Sequence, residues 1–165
     1  MTAEIPLSQG KTALIDDEEI PLVQRYRWCA VYAKHTKSYY AVSSMKSKTG
    51  DWRNMRMHRL IMNCPKDKQV DHINHDTLDN RKINLRIVNN AENNQNRRAQ
   101  SGSKSEIRGV TWRADNQKWH VRVELNGKKH CFGQYLNLKD AEMAAKNARK
   151  LLMPFSQEAI KPDVK

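Results

Sequence analysis

The stretch Trp119-His120-Val121-Arg122-Val123-Glu124-Leu125, followed by Asn126-Gly127, constrains the fold more than any other part of the chain. Apolar and polar residues alternate strictly, so Trp119, Val121, Val123 and Leu125 fall on one face of a strand and His120, Arg122 and Glu124 on the other. Asn-Gly is favoured in two-residue hairpin turns, so Lys128 to Tyr135 is expected to return antiparallel. Val110-Thr111-Trp112-Arg113, placed before Asp115-Asn116, supplies a third strand. From Leu138 the period changes: Ala141, Ala144, Ala145, Ala148, Leu151 and Leu152 recur at helical spacing, and Asn137 with Asp140 forms a capping-box pattern. A narrow alanine face lets such a helix lie close against a sheet. The pattern predicts three strands covered on one side by a helix over residues 107–152, and a loose tail over 153–165, which contains Pro154 and Pro162.

The uncovered side of that sheet would be solvated and would carry Arg113, His120, Arg122 and Lys129. A sheet of this width can enter the DNA major groove, where Arg bonds a guanine edge and Lys a phosphate. An ordinary wet sheet face is the alternative, and Glu124 on the same side favours it. Charge bears on this choice. The net charge of +12 is spread as +3 over residues 1–57, +3 over 58–98 and +6 over 99–165. Positive charge in every part suits a polyanion running along the molecule, although membrane surfaces and acidic proteins also attract basic chains.

The 38% hydrophobic content, with four Trp and five Tyr, is too high for a disordered chain. Cys29, Cys64 and Cys131 are odd in number and far apart, which argues against a disulfide scaffold and a thiolate zinc site and suits a reducing cytoplasm. No apolar run approaches the ~20 residues of a membrane span. We therefore expect an intracellular chain with no membrane partner and no small-molecule substrate.

Residues 1–57 hold short apolar runs, such as Thr12–Ile15, Trp28–Tyr32 and Tyr39–Val42, between polar stretches. This pattern predicts small antiparallel hairpins, with Asp16-Asp17-Glu18-Glu19 as a solvated turn. Residues 97–106 have no large apolar residue and predict a flexible tether, with the linker at 99–106. Between these lies VDHINHDTLDNRKINLRIVNNAENNQNRR, residues 70 to 98, with eight asparagines. A solvated loop is one reading. The other is a short strand at Val70–Ile73, a partner at Asn84–Val88, and a helix opened by Asn89 and Glu92.

Two resemblances follow from these residues. Arg108-Gly109-Val110, Lys118-Trp119, Asn126-Gly127-Lys128, Phe132-Gly133 and the alanine-rich helix resemble an AP2 domain, a small DNA-binding fold. Thr111 and Cys131 stand where the plant pattern has other residues, so its base specificity is not carried over. Met57-His58-Arg59-Leu60-Ile61-Met62, Val70-Asp71-His72-Ile73-Asn74, Asp79-Asn80-Arg81, Asn84-Leu85-Arg86 and Glu92-Asn93 resemble the HNH endonucleases of the phage homing type. With Ile5–Gly10 and Arg27-Trp28 the resemblance spans nearly the whole chain.

The resemblance implies an α+β chain: a β-rich segment over 1–57, a ββα-metal (His-Me finger) nuclease core over 58–98, and an AP2-like sheet and helix. It implies Mg²⁺ or Mn²⁺ held by Asp71 and Asn93, hard oxygen donors that leave room for water and phosphate. His72 is expected as the general base, since a neutral imidazole can take a proton from water. Asn84 is expected to orient it. Double-stranded DNA is the expected partner, contacted by Arg108, Arg113, Lys118, His120, Arg122 and Lys129 and by Asn96 and Arg97. Family products carry a 5′-phosphate and a 3′-hydroxyl. One such centre cuts one strand, which implies a monomeric nickase encoded by a phage or mobile element.

Three other readings stay open. His72 and His75 with Asp71 or Asp76 could hold zinc. The HNH part could be a relic in a non-cleaving DNA-binding regulator, or the chain could be a nonspecific, toxin-like nuclease.

Overall fold

The computed structural model describes residues 1–47, 49–100 and 102–159. Two compact units divide the chain, Met1–Asn90 and Ala91–Lys165.

In the first unit, β1 (Thr2–Pro6) and β2 (Thr12–Asp16) form an antiparallel hairpin. The short α1 (Ile20–Val23) leads to a three-stranded antiparallel meander of β3 (Cys29–Ala33), β4 (Ser38–Lys46) and β5 (Trp52–Arg56). After α2 (Met57–Ile61), β6 (Gln69–His72) pairs antiparallel with β7 (Leu85–Val88). The hairpins expected of residues 1–57 are present. Their inward residues Ala13, Ile15, Ala30 and Ala41 meet Val23, Met57, Ile61 and Leu85 in one core. Small side chains on three strands let the elements approach, while Ile15, Met57 and Val23 fill the space between them. Trp28 is buried too, and its indole N–H donates to the Val23 carbonyl at 2.9 Å, so no donor is left unsatisfied.

The long connection from β6 to β7 is built onto this unit's amino-terminal hairpin. Leu14 donates its backbone N–H to Leu78 (2.9 Å), and Asn80 donates to Leu14 (2.7 Å), which makes a parallel bridge between Leu14 and Asp79. Thr77 donates its hydroxyl to the Tyr39 carbonyl at 2.5 Å. The acidic run is not the solvated turn expected of it. Asp16 accepts the Lys82 backbone N–H at 2.7 Å, and Glu19, buried, pairs with the Lys82 ammonium. A carboxylate taken from water needs such a partner, and Lys82 supplies it from the loop.

All but the first residue of α3 (Asn90–Gln95) lie in the second unit. The expected boundary lay later, in the tether. There, β8 (Val110–Arg113), β9 (Lys118–Leu125) and β10 (Lys128–Tyr135) form an antiparallel sheet in the order β10-β9-β8, followed by α4 (Leu138–Leu152). The turn residues Asn126 and Gly127 have φ of 51° and 75°, the left-handed conformation that Asn-Gly was expected to supply. The Asn137 side chain accepts the Lys139 N–H at 2.8 Å and so caps α4. Ala141 and Ala145 pack on Val110 and Val121, and Ala148 packs with Val123 and Met153.

Three expectations are corrected here. Leu151 is 75% exposed and does not join the alanine face. Residues 153–159 are not a loose tail: Met153 and Ser156 are buried, and Glu158 pairs with Arg149. Pro154 ends the helix without releasing the chain, because apolar burial on one side and an ion pair on the other hold it. Residues 160–165 lie outside the described residues. The linker is structured at its end, where Ser105 is buried and donates to the Val110 carbonyl at 2.7 Å.

Gly109 adopts φ of 81°, and its carbonyl accepts the Arg122 N–H at 2.8 Å. A Cβ there would sit 2.7 Å from the Arg122 carbonyl oxygen. Gly109→Ala should therefore lose about 1–3 kcal/mol of stability from backbone strain, with the clash adding to it. Urea denaturation followed by tryptophan fluorescence measures the loss.

Candidate functional site

Of the residues expected to do chemistry, Asp71 and His72 end β6, Asn84 closes the loop before β7, and Asn93 lies in α3. Asp71 pairs with Arg86 and His72 with Leu85 in the antiparallel register. Successive strand residues point to opposite sides, so Asp71 and His72 face different surroundings although they are adjacent. Asp71 is buried, and Arg86 donates from Nε at 2.9 Å and from Nη2 at 2.6 Å to the same carboxylate oxygen, Oδ2. Cross-strand opposition of unlike charges is the arrangement a sheet favours. Arg86 was not singled out in the sequence, although the strand pairing, once assumed, places it opposite Asp71.

His72 is 5% exposed and sits in an aromatic corner. Its ring stands perpendicular to that of His58, 4.9 Å between centroids, and Tyr40 presents edge contacts to both at 5.8 and 6.2 Å. Arg56 lies over the Tyr40 ring at 4.6 Å. Burial pushes the His72 imidazole below its ordinary value, against the opposing effects of the Asn80 hydrogen bond and the Asp71, Asp76 and Asp79 carboxylates. The ring is thus neutral near pH 7. Asn80 also settles its tautomer. Its amide Nδ2 donates to the Leu78 carbonyl at 3.0 Å, so its Oδ1 faces His72 Nε2 at 3.3 Å and that nitrogen must donate. The imidazole lone pair then resides on Nδ1. Burial above all, then the electrostatic influence of His72, Arg56 and Arg59, drives His58 down to about 2. This neutral ring packs against His72.

Amide side chains hold the loop in place of regular backbone pairing. Asn84 Oδ1 accepts the Asn74 N–H at 2.9 Å and its Nδ2 donates to the Asp79 carbonyl at 2.8 Å, so one buried side chain closes the loop across ten residues. Its backbone carbonyl accepts the Ile73 N–H at 2.9 Å, immediately after His72. Asn74 Oδ1 accepts from Asp76, and Asp76 accepts from Leu78, two consecutive Asx turns. Burial alone would raise the Asp79 carboxyl, but the Arg81 guanidinium, bonded at 2.7 Å from both Nε and Nη2, holds it below its ordinary value. Arg81 is thereby committed within the loop. Arg59 serves a similar end before β6, donating to the carbonyls of Cys64, Pro65 and Lys68.

Among the described residues no three His, Cys, Asp or Glu side chains group as a metal site, so no such cluster supports the zinc reading. By donor type alone, the buried carboxylate of Asp71 and the side-chain amide oxygen of Asn93 are each hard oxygen ligands of the kind a small divalent cation takes.

On the sheet of the second unit, the registers put Thr111, Arg113, Lys118, His120, Arg122, Glu124 and Lys129 on one face. Arg122 and Lys129 are exposed; Arg113 bonds Asp115 at 3.1 and 3.0 Å, and His120 Nε2 accepts from Asn116 at 3.0 Å. Trp112 and Trp119 contact each other on the opposite face, with centroids 4.9 Å apart. Two residues expected on the DNA surface are placed elsewhere. Asn96 is buried, and the Arg108 guanidinium donates to the backbone carbonyls of Asn94, Gln95 and Arg97.

Because the folded pKa values of His58 and His72 lie below the unfolded value of 6.5, the unfolded chain binds more protons in acid. Stability should be level above about pH 6.5 and fall below it, by about 1.4 kcal/mol per pH unit for each fully depressed histidine. Urea titrations between about pH 7 and about pH 5 should show this acid limb. His58→Phe should make it shallower by one histidine's share.

Residues 63–95 match the family described as HNH endonuclease. The match covers β6, the asparagine-rich loop, β7 and α3. The chain is 30% identical over 143 residues to an uncharacterized HNH endonuclease of Acanthamoeba polyphaga mimivirus, covering 83% of this chain and 66% of the relative. It is 31% identical over 68 residues to Protein 3.8 of Escherichia phage T7, covering 41% of this chain and 56% of that protein. No solved structure matches the chain. The strand pair that holds Asp71 and His72 therefore lies in an HNH endonuclease family domain, in a chain similar to a viral HNH endonuclease.

Proposed function

We propose that this chain is a metal-dependent DNA endonuclease of the homing type, in which His72 is the general base and the sheet of the second unit binds double-stranded DNA. The observation that carries the reading is the state of His72. It is buried and neutral, its Nε2 is committed to Asn80, and its lone pair is directed by the other nitrogen. A base must be unprotonated at working pH and fixed in orientation, and both conditions are met by residues inside the span that matches the family.

In the proposed reaction, His72 Nδ1 takes a proton from water as the water oxygen bonds to phosphorus. The phosphorus–O3′ bond breaks and the departing O3′ takes a proton from solvent water, leaving a 5′-phosphate and a 3′-hydroxyl. Asn84 and Asn80 fix the loop and the ring, so no reorganisation is needed as the proton moves. Asp71 and Asn93 would hold Mg²⁺ or Mn²⁺, which when bound would neutralise charge developing on the phosphate and leaving oxygen. Arg86, which donates twice to Asp71 Oδ2, orients that carboxylate.

DNA binding is assigned to Arg113, Lys118, His120, Arg122 and Lys129 on the sheet, in the manner of an AP2 domain, with Arg97 as a further contact. Among these, Arg122 and Lys129 are exposed, whereas Arg113 is paired with Asp115. Viral and phage relatives favour a mobile-element setting.

Supercoiled plasmid should be nicked in Mg²⁺ or Mn²⁺ and left intact in chelator. His72→Ala should lose ~10²–10⁴ of the rate. Retardation of DNA by the wild type in every metal, without cutting, would instead identify a DNA-binding regulator. Arg122→Ala and Lys129→Ala should weaken binding in chelator, and each phosphate contact removed should lower the slope of log affinity against log salt by about one. Unchanged slopes in both would remove the sheet face from the reading.

A further inference from the structure

Helix α3 presents a physical problem. Its six residues, Asn-Ala-Glu-Asn-Asn-Gln, bury no side chain. Isolated helices shorter than ~12–15 residues are marginal in water, because few hydrogen bonds offset the ordering of the first turn. With no apolar face to dock, α3 must draw stability from polar contacts.

Residues after the helix in the same unit supply them at its carboxyl end. Arg108 donates from Nη1 to the Gln95 and Arg97 carbonyls at 2.5 and 3.0 Å, and from Nη2 to the Asn94 carbonyl at 2.9 Å. The last carbonyls of a helix have no partner within it and carry the negative end of its dipole, so a guanidinium there satisfies both deficits. Phe155, beyond α4, donates its N–H to the Gln95 side chain at 3.2 Å. Arg108 is itself held: buried Arg149 donates to the Arg108 carbonyl and pairs with Glu158 at 2.9 and 2.5 Å. The left-handed turn at Gly109 connects Arg108 to β8. The segment expected as a loose tail therefore forms part of the support for α3.

We infer that Arg108 is a positioning residue for Asn93, acting through the carboxyl end of α3 rather than through phosphate. The inference rests on the proposed reading of Asn93 as a metal ligand. Its consequence is that the AP2-like unit is required for cleavage for a reason separate from DNA affinity: it orders the helix on which Asn93 stands. Geometry also separates Arg from Lys here. A guanidinium offers several donors in a fixed fork and reaches three carbonyls, whereas an ammonium is a compact point charge that suits a phosphate as readily.

The test uses the full chain with Arg108→Lys and Arg108→Ala, and three measurements: amide hydrogen exchange over residues 91–97, plasmid nicking in Mn²⁺, and DNA affinity in chelator at several salt concentrations. Both variants should exchange roughly tenfold faster or more over 91–97 while the β9 amides stay protected. Nicking should fall ~10–100-fold, as when a supporting residue behind a metal ligand is lost. DNA affinity and its salt slope should hold. Unchanged exchange in Arg108→Ala would overturn the inference, as would a loss of affinity in Arg108→Ala that Arg108→Lys restores, since that pattern marks a phosphate contact. If Arg108→Ala unfolds, Gln95→Ala, which removes only the bond from Phe155, should still speed exchange near residue 95; no change there also overturns it. Asn93→Ala tests the underlying reading on its own. Wild-type nicking in Asn93→Ala, with His72→Ala inactive, would remove Asn93 as a ligand, while the exchange data would still decide the role of Arg108 on α3.

Discussion

The site depends on one constraint: a twelve-residue connection between two four-residue strands must satisfy its own polar backbone. Too little regular pairing is available, so side-chain amides take over. Asn84 supplies the central closure, accepting from Asn74 and donating to Asp79. Asn80 extends it by joining Leu78 to the His72 ring. An amide carries both a donor and an acceptor on one planar group, so each asparagine can bridge two points of the chain without adding charge. Carboxylates in the same places would offer only acceptors and would repel a polyanion. The concentration of asparagine in this segment is therefore a structural solution before it is a chemical one.

Arginine forms the second theme. Arg59 and Arg108 each bond three backbone carbonyls, Arg81 and Arg86 each grip a buried carboxylate, and Arg149 is buried with Glu158. These five belong to the count that gives the net charge of +12, yet their donors are directed inward. Net charge governs the long-range field that DNA would feel, so it remains informative about partners. It does not say which guanidinium can leave its site to meet a phosphate. The exposed positions of Arg122 and Lys129 on the sheet face make that distinction, and no feature of composition does.

The amino-terminal hairpins act as a scaffold for chemistry held elsewhere in the sequence. β2 lends an edge to Leu78–Asn80, the acidic run meets Lys82, and Tyr40 of β4 packs against the two histidines. In this way residues more than thirty positions upstream decide the conformation of the His72 loop. The depressed histidines follow from this packing, since burial is the leading cause for both.

The elements legible before folding are those whose signal is periodic or local. The alternation around Val121, the Asn-Gly turn, the alanine face and the Asn137 cap are all present, because strand pleat, helical pitch and positive φ act within a few residues. The spacing of a family pattern also pointed to Asp71, His72 and Asn84, which lie inside the span that matches the HNH family. Tertiary structure alone decided which polar groups are occupied. Whether Asp16 is a solvated turn residue or a loop anchor, whether Arg108 meets DNA or a helix end, and whether residues 153–159 hang free or pack depend on partners between nine and sixty-six residues away. A charged or amide side chain reads the same in sequence whether water, phosphate or a distant carbonyl completes it. Only the folded chain supplies the partner.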